Sequence, residues 1–260
     1  MNAGTAELGG LLRVAHDLAL EAGEITLQHF GTVLASDTKG DGTPVTESDR
    51  AAETLLRKKI GTQFPDHGIL GEEFGETNPG ATVRWILDPI DGTRSFVRGV
   101  PLYGVLIGIE VEGVPAVGVA HFPALRETVG AALGHGCTWN GRPARVSSVR
   151  TLSDAAVLAT EPGDLLEGPA AKGWERLVRE TSLARTWGDC YGHILVATGR
   201  AEIMVDPILS PWDAAPFLPI LAEAGGRFTD MEGRARIDGG SGISTNGHFH
   251  DLALALMGGA

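Results

Sequence analysis

Trp85-Ile86-Leu87-Asp88-Pro89-Ile90-Asp91-Gly92-Thr93 runs from an apolar, strand-like segment into two aspartates and a glycine. Pro89 fixes the backbone after the first carboxylate, and Gly92 permits a tight turn before residues that can open a helix. Two carboxylates aimed from a strand end, followed by bare backbone N–H groups, suit a divalent cation with a phosphate beside it. Asp88 and Asp91 are also good turn formers, so taken alone the stretch reads equally as a strand and its turn.

Two further acidic motifs flank it. Gly71-Glu72-Glu73-Phe74-Gly75 sets adjacent carboxylates beside glycine, costly unless a cation, a basic neighbour or water compensates them. Pro211-Trp212-Asp213 puts an aspartate in the first turn of an apolar helix, where capping alone would also explain it. An Asp/Glu set without Cys or a His motif points to magnesium or manganese and away from zinc. The chain has no HExxH, no GxxxxGK[ST] phosphate loop, no GxSxG elbow and no GxGxxG after a strand. His248 and His250 read as a loop or helix start.

Apolar spacing predicts a helix over 5–30, and Thr46-Glu-Ser-Asp49 reads as a capping box opening a second helix to about Gln63. Short apolar runs at 68–71 and 82–88 precede three β-type runs within 102–133, a meander signal. The second half alternates. Strands are predicted near 155–160, before Trp187 and at 201–206, and helices at 169–181, 190–199, 211–224 and from after Asn246 to about Met257. Gly225-Gly226 ends the third of these helices, and 239–243 reads as loop. The pattern indicates α+β or layered α/β, with two subdomains sharing a cleft.

The 260 residues fit one or two domains, and a 43% hydrophobic share is ordinary for a globular chain. A net charge of −12 disfavours nucleic-acid backbone and anionic membrane as partners. No apolar run of about 18 residues and no basic-apolar leader is visible, so a cytoplasmic location is expected. Cys137 and Cys190 are too far apart in sequence for a CxxC motif. The 37 glycines, about double the usual share, imply tight turns or close backbone approaches.

Taken together, GEE at 71–73, WILDPIDGT at 85–93, and PWDAA at 211–215 followed by EAGG at 223–226 resemble the signatures of the inositol-monophosphatase superfamily of magnesium-dependent phosphatases. The likeness runs from the first helix to STNGHFHD at 244–251. It implies a layered αβαβα sandwich, divided here into an N-terminal part, 1–150, and a C-terminal part, 151–260, within one catalytic unit. Carried over residue by residue, Glu72, Asp88 and the Ile90 carbonyl would hold one magnesium. Asp88, Asp91 and Asp213 would hold a second, and a third would lie near Glu72; manganese is a possible substitute. Glu72, Thr93 and Asp49 take the catalytic roles, with Thr93 orienting the attacking water and linked to Asp49. The N–H groups of Gly92 and Thr93 take phosphate oxygens, and Lys39 matches a loop lysine that approaches the metals.

Substrate choice is expected around Arg185-Thr-Trp187-Gly-Asp189-Cys-Tyr191-Gly-His193, with Asp206 and Asp213 also facing the substrate. Asp189 and Asp206 suit a positively charged leaving alcohol, although Asp189 could instead cap the helix that follows. Arg185 is a candidate for a substrate contact or for a structural ion pair. GDCYGH, RSFVRGVP at 94–101 and VATGRAE resemble the histidinol-phosphate phosphatase branch more than the inositol branch. That resemblance implies hydrolysis of L-histidinol phosphate by a homodimer. The alternatives are an inositol-1-phosphate phosphatase, a broad small-molecule phosphatase, or a non-catalytic regulatory protein of the same fold.

Overall fold

The computed structural model describes residues 3–31, 37–38, 44–167 and 169–258. Helix α1 (Ala3–Leu27) leads through a two-stranded ribbon, β1 (Asp37–Thr38) and β2 (Pro44–Val45), to α2 (Glu47–Gln63). The capping box forms as its sequence suggests, with Thr46 and Asp49 bonding each other's backbone.

An eight-stranded sheet follows. It contains β3 (Gly68–Gly71), β4 (Gly75–Thr77) and β5 (Val83–Asp91); then, after α3 (Thr93–Val97), β6 (Gly104–Val111), β7 (Val114–Phe122), β8 (Glu127–Ala132), β9 (Gly136–Trp139) and β10 (Arg142–Pro143). Its order is β10-β9-β8-β7-β6-β5-β3-β4. Only β3 and β5 run parallel, and β6 to β8 are the predicted meander.

The rest of the chain is β11 (Ala156–Ala159), α4 (Pro162–Leu165), α5 (Ala171–Glu180), β12 (Leu183–Arg185), α6 (Asp189–Ala197) and β13 (Ile203–Asp206). After these come α7 (Pro211–Ala214), α8 (Phe217–Ala224), β14 (Arg227–Thr229), β15 (Gly242–Thr245) and α9 (His250–Met257). These five strands form a second sheet ordered β12-β11-β13-β15-β14.

Strand alternation assigns the layers. Trp85, Leu87, Val105, Ile107 and Ile109 pack beneath the apolar faces of α1 and α2. Their neighbours Ile86 and Leu106 face the opposite way, into a core with Ile194 of α6, Phe217 and Ile220 of α8, and Leu158 and Met204 of the second sheet. Val157, Ile203 and Val205 turn to the far side, against Trp174 of α5 and Met257 of α9. The result is helices, sheet, helices, sheet, helices: the αβαβα sandwich. Among the described residues no helix is long and apolar enough to cross a membrane.

Two expectations are corrected. The helix read as 211–224 breaks into α7 and α8 around Ala215-Pro216, because Pro216 has no N–H to continue the ladder. The 239–243 segment is not all loop: Gly242 and Ile243 begin β15, paired with β13 and β14.

The break seats α7 on the first sheet. Gly108 and Gly118 lie opposite each other on β6 and β7. A Cβ on Gly108 would fall 2.5 Å from Ala215 Cβ, and one on Gly118 would fall 2.1 Å from the Pro216 carbonyl oxygen. Bare backbone is therefore required where this chain crosses. Gly118→Ala is expected to cost about 1–3 kcal/mol in urea unfolding. Gly61→Ala, in α2 with open space around it, should instead gain about 0.5–1 kcal/mol. Equal effects would contradict this account of the close approach.

Candidate active site

Three residues apart on a regular strand, Asp88 and Asp91 would point to opposite faces. They do not, because the β5–β6 register shifts between them, around Pro89 and Ile90. Asp88, buried, accepts from Ile90 N at 3.0 Å, and Thr93 Oγ1 donates to Ile90 O at 3.0 Å. Gly92 turns the chain at φ 79° into the first turn of α3.

Two other elements bring further carboxylates to this bend. Asp213 is held in α7 by a capping box, accepting from Ser210 N at 2.7 Å. Carboxylate oxygens of Asp88, Asp91 and Asp213 lie within 4.8 Å of one another. Glu72, just past β3, reaches Asp88 by charge and by a side-chain hydrogen bond. Burial pushes Asp88 well above the usual carboxylate range, reinforced by Glu72, Asp91 and Asp213. Burial likewise raises Asp91, with Asp213 and Asp189 adding to it. Asp213 is pushed up to about 7, chiefly by burial.

The cleft over this cluster has a volume of about 500 Å³. Among its described lining residues the one basic side chain is Arg94, and it is paired with Glu161 at 2.8 Å. An all-oxygen, uncompensated donor set of this kind fits hard divalent cations. Glu72, Asp88, Asp91 and Asp213, with the Ile90 carbonyl, are the residues that could hold them.

The second sheet supplies the other end. Asp189 N donates to Thr160 Oγ1 at 2.9 Å, and that hydroxyl donates to Asp206 Oδ2 at 2.6 Å. Ser95 Oγ donates to Asp189 Oδ2 at 3.2 Å. Burial raises Asp189 and pushes Asp206 up to about 7. Asp189 does not cap α6. It adopts φ 51°, and the Cys190 N–H at the helix start is taken at 2.6 Å by Asp91, from the other sheet. Burial, and then Asp91, drive the Cys190 thiol well up, which disfavours the thiolate. Ile208, Leu209 and Trp212 give the cleft an apolar side.

Of the residues singled out from sequence, the cleft gathers Glu72, Asp88, Ile90, Asp91, Gly92, Thr93, Asp189, Asp206 and Asp213. Asp49 is fully buried in the α2 cap, accepting from Thr46 N at 2.8 Å. Arg185 does not join them: it ends edge strand β12, lines a separate hollow with Trp174 and Val178, and donates to the Ala184 carbonyl at 2.7 Å. Lys39 lies outside the described residues. Thr160 was not singled out. Its one sequence signal is a polar residue ending an apolar run, in a sheet whose parallel strands deliver their C-terminal ends to the cleft.

The Inositol monophosphatase family model matches residues 8–257. A histidinol-phosphatase of Chlorobaculum parvum is 49% identical over 249 residues, covering 95% of this chain and 96% of the relative. A histidinol-phosphatase of Mycobacterium tuberculosis is 42% identical over 256 residues, covering 95% and 97%. The crystal structure of the extragenic suppressor protein suhB from Bartonella henselae superimposes with a TM-score of 0.89 at 29% identity, covering 95% of this chain and 98% of that one.

The raised carboxylates set a pH dependence. A folded-state pKa above the unfolded value gives stability that is lost as pH rises through it, here about 7 for Asp206 and Asp213. Buried His121, His193 and His250, lowered to about 4, about 3 and about 4, oppose this only below their ordinary value. In EDTA, the urea midpoint should therefore fall from about pH 6.5 to about pH 8.5. Magnesium should restore it at the upper end, and Asp88→Asn should flatten the slope. A level profile in EDTA would contradict the uncompensated cluster.

Proposed function

This chain belongs to the inositol monophosphatase family, and from that premise we propose that it is a magnesium-dependent phosphomonoesterase hydrolysing L-histidinol phosphate to L-histidinol and phosphate. The observation that carries the choice of substrate is the acidic wall that the second sheet adds beside the carboxylate cluster. Asp189 and Asp206 are joined there through Thr160, with Glu161 and Asp164 also lining the cleft. A leaving group bearing an amine and an imidazole finds charge partners on that wall, and apolar surface at Ile208 and Trp212 for its ring. The histidinol-phosphatase relatives support the same choice.

When bound, magnesium supplies charge neutralisation at the phosphate, a lowered pKa for water and stabilisation of the leaving alkoxide. Glu72, Asp88, Asp91, Asp213 and the Ile90 carbonyl would hold the ions. The N–H groups of Gly92 and Thr93 receive phosphate oxygens, since the first N–H groups of a helix have no partner within it. Thr93 Oγ1 commits its proton to Ile90 O. Its lone pairs are thereby left to accept from the attacking water, with Glu72 as the acidic partner on the same cleft; Asp49 stays in the α2 cap on Thr46. The new P–O bond forms as the bond to the histidinol oxygen breaks, and that oxygen takes up a proton. This ligand set is complete, which favours catalysis over a purely regulatory role. The working unit is taken to be a cytoplasmic homodimer.

Phosphate release from L-histidinol phosphate and from inositol-1-phosphate, both with magnesium, should differ in kcat/KM by about a hundredfold or more, or about 2.7 kcal/mol. Asp189→Asn should raise KM for histidinol phosphate about tenfold, near 1.4 kcal/mol, and alter a neutral sugar phosphate far less. The reverse preference would transfer the function to the inositol phosphates. Equal losses on both substrates would remove Asp189 from substrate recognition.

A further inference from the structure

Glu53 is a fully buried carboxylate on α2 that no step above uses. It points at the turn between β3 and β4, which carries Glu72. Its Oε2 accepts from Glu73 N at 2.7 Å, and its Oε1 accepts from Phe74 N at 3.2 Å. Arg57, one helical turn on, donates from Nε to Oε1 at 2.7 Å. The same guanidinium donates to Thr77 Oγ1 at 3.2 Å and to the Gly75 carbonyl, so the β4 side of the turn is also tied to α2.

Gly71 makes the room. A Cβ there would lie 2.1 Å from Glu53 Oε1 and 2.9 Å from Arg57 Nη2. Glu72 is thus bracketed by a residue whose bare backbone admits the Glu53 carboxylate and by two residues whose N–H groups that carboxylate holds. Glu72 N is tied to the other side, donating to Leu87 O at 3.2 Å, next to Asp88.

We infer that Glu53 is the positioning residue for Glu72, and that it sets the affinity of the cation shell to which Glu72 contributes. The inference rests on reading Glu72 as a metal ligand. With both groups ionised, as holding a cation requires, Glu72 and Asp88 repel, and without the cation that repulsion pushes the turn away from where it must act. Charge-assisted bonds from Glu53 hold the backbone in place against that push, and the ligand is set in advance. Groups that orient a metal ligand typically account for 10–100-fold in affinity.

The test is isothermal titration of Mn²⁺ into the full chain as wild type, Glu53→Gln, Gly71→Ala and Asp88→Asn, with unfolding followed in EDTA. Glu53→Gln turns an amide N–H₂ toward a backbone N–H, and Gly71→Ala displaces the carboxylate from the opposite side. Each should weaken Mn²⁺ binding about tenfold and raise the magnesium needed for half-maximal turnover by the same factor. At saturating magnesium both should keep KM for the phosphate ester within about twofold and recover kcat. The double variant should lose little more than either single one, because both break the same contact. Wild-type Mn²⁺ affinity in both folded variants would overturn the inference, leaving Glu53 a purely structural residue. A wild type that binds no Mn²⁺ would overturn the metal reading of Glu72 itself. Should Glu53→Gln fail to fold, Gly71→Ala decides the matter alone.

Discussion

Like charges crowd the centre of this molecule: Glu72, Asp88, Asp91 and Asp213 meet where three of them bring oxygens within 4.8 Å. Nothing basic among the described cleft residues offsets them beyond Arg94, already paired with Glu161. Folding must therefore work against repulsion and desolvation at once, and protons or cations are what can relieve both. Several otherwise unrelated features serve that arrangement. The shifted register in β5 turns Asp91 to the side of Asp88. The facing glycines 108 and 118 lower the chain beside α7 onto the sheet. The Ser210–Asp213 box fixes the last carboxylate.

Asp91 joins the two halves of the chemistry. One of its oxygens takes the Cys190 N–H at 2.6 Å, anchoring the start of α6. The residue before, Asp189, is forced to φ 51°, a conformation uncommon outside glycine but tolerated by aspartate. Its carboxylate is thereby set above Gly92 and Ser95 and its N–H against Thr160. On the proposed function the first sheet would present the phosphate end of a substrate and the second sheet the leaving-group end, with the Asp91–Cys190 bond tying the two together.

What the sequence made legible was local. The Thr46–Asp49 cap, the meander of β6 to β8 and the Asp88–Asp91 bend each declare themselves within a few residues. The motifs carried the candidate site because each of its carboxylates sits beside a turn or helix start with its own composition. What escaped depended on distant partners. The cap of α6 comes from a residue 99 positions earlier, so Asp189 looked like the natural cap. Thr160 matters through Asp206, 46 residues on, and Glu53 through Glu73, 20 residues on. Strand β15 begins in a glycine-rich stretch with little apolar periodicity, and only its pairing with β13 and β14 makes it a strand. Arg185 lay within an informative segment, yet its strand sits on the sheet edge and turns it to another surface.

For the site to work as proposed, the carboxylate cluster must hold cations. Crystals grown with Mn²⁺ near neutral pH, and anomalous difference maps recorded from them, address this directly. Peaks are expected among Asp88, Asp91 and Asp213 and between Glu72 and Asp88, with the four carboxylates close to their present positions. A cleft without anomalous signal at millimolar Mn²⁺, its carboxylates sharing protons with one another, would contradict the account.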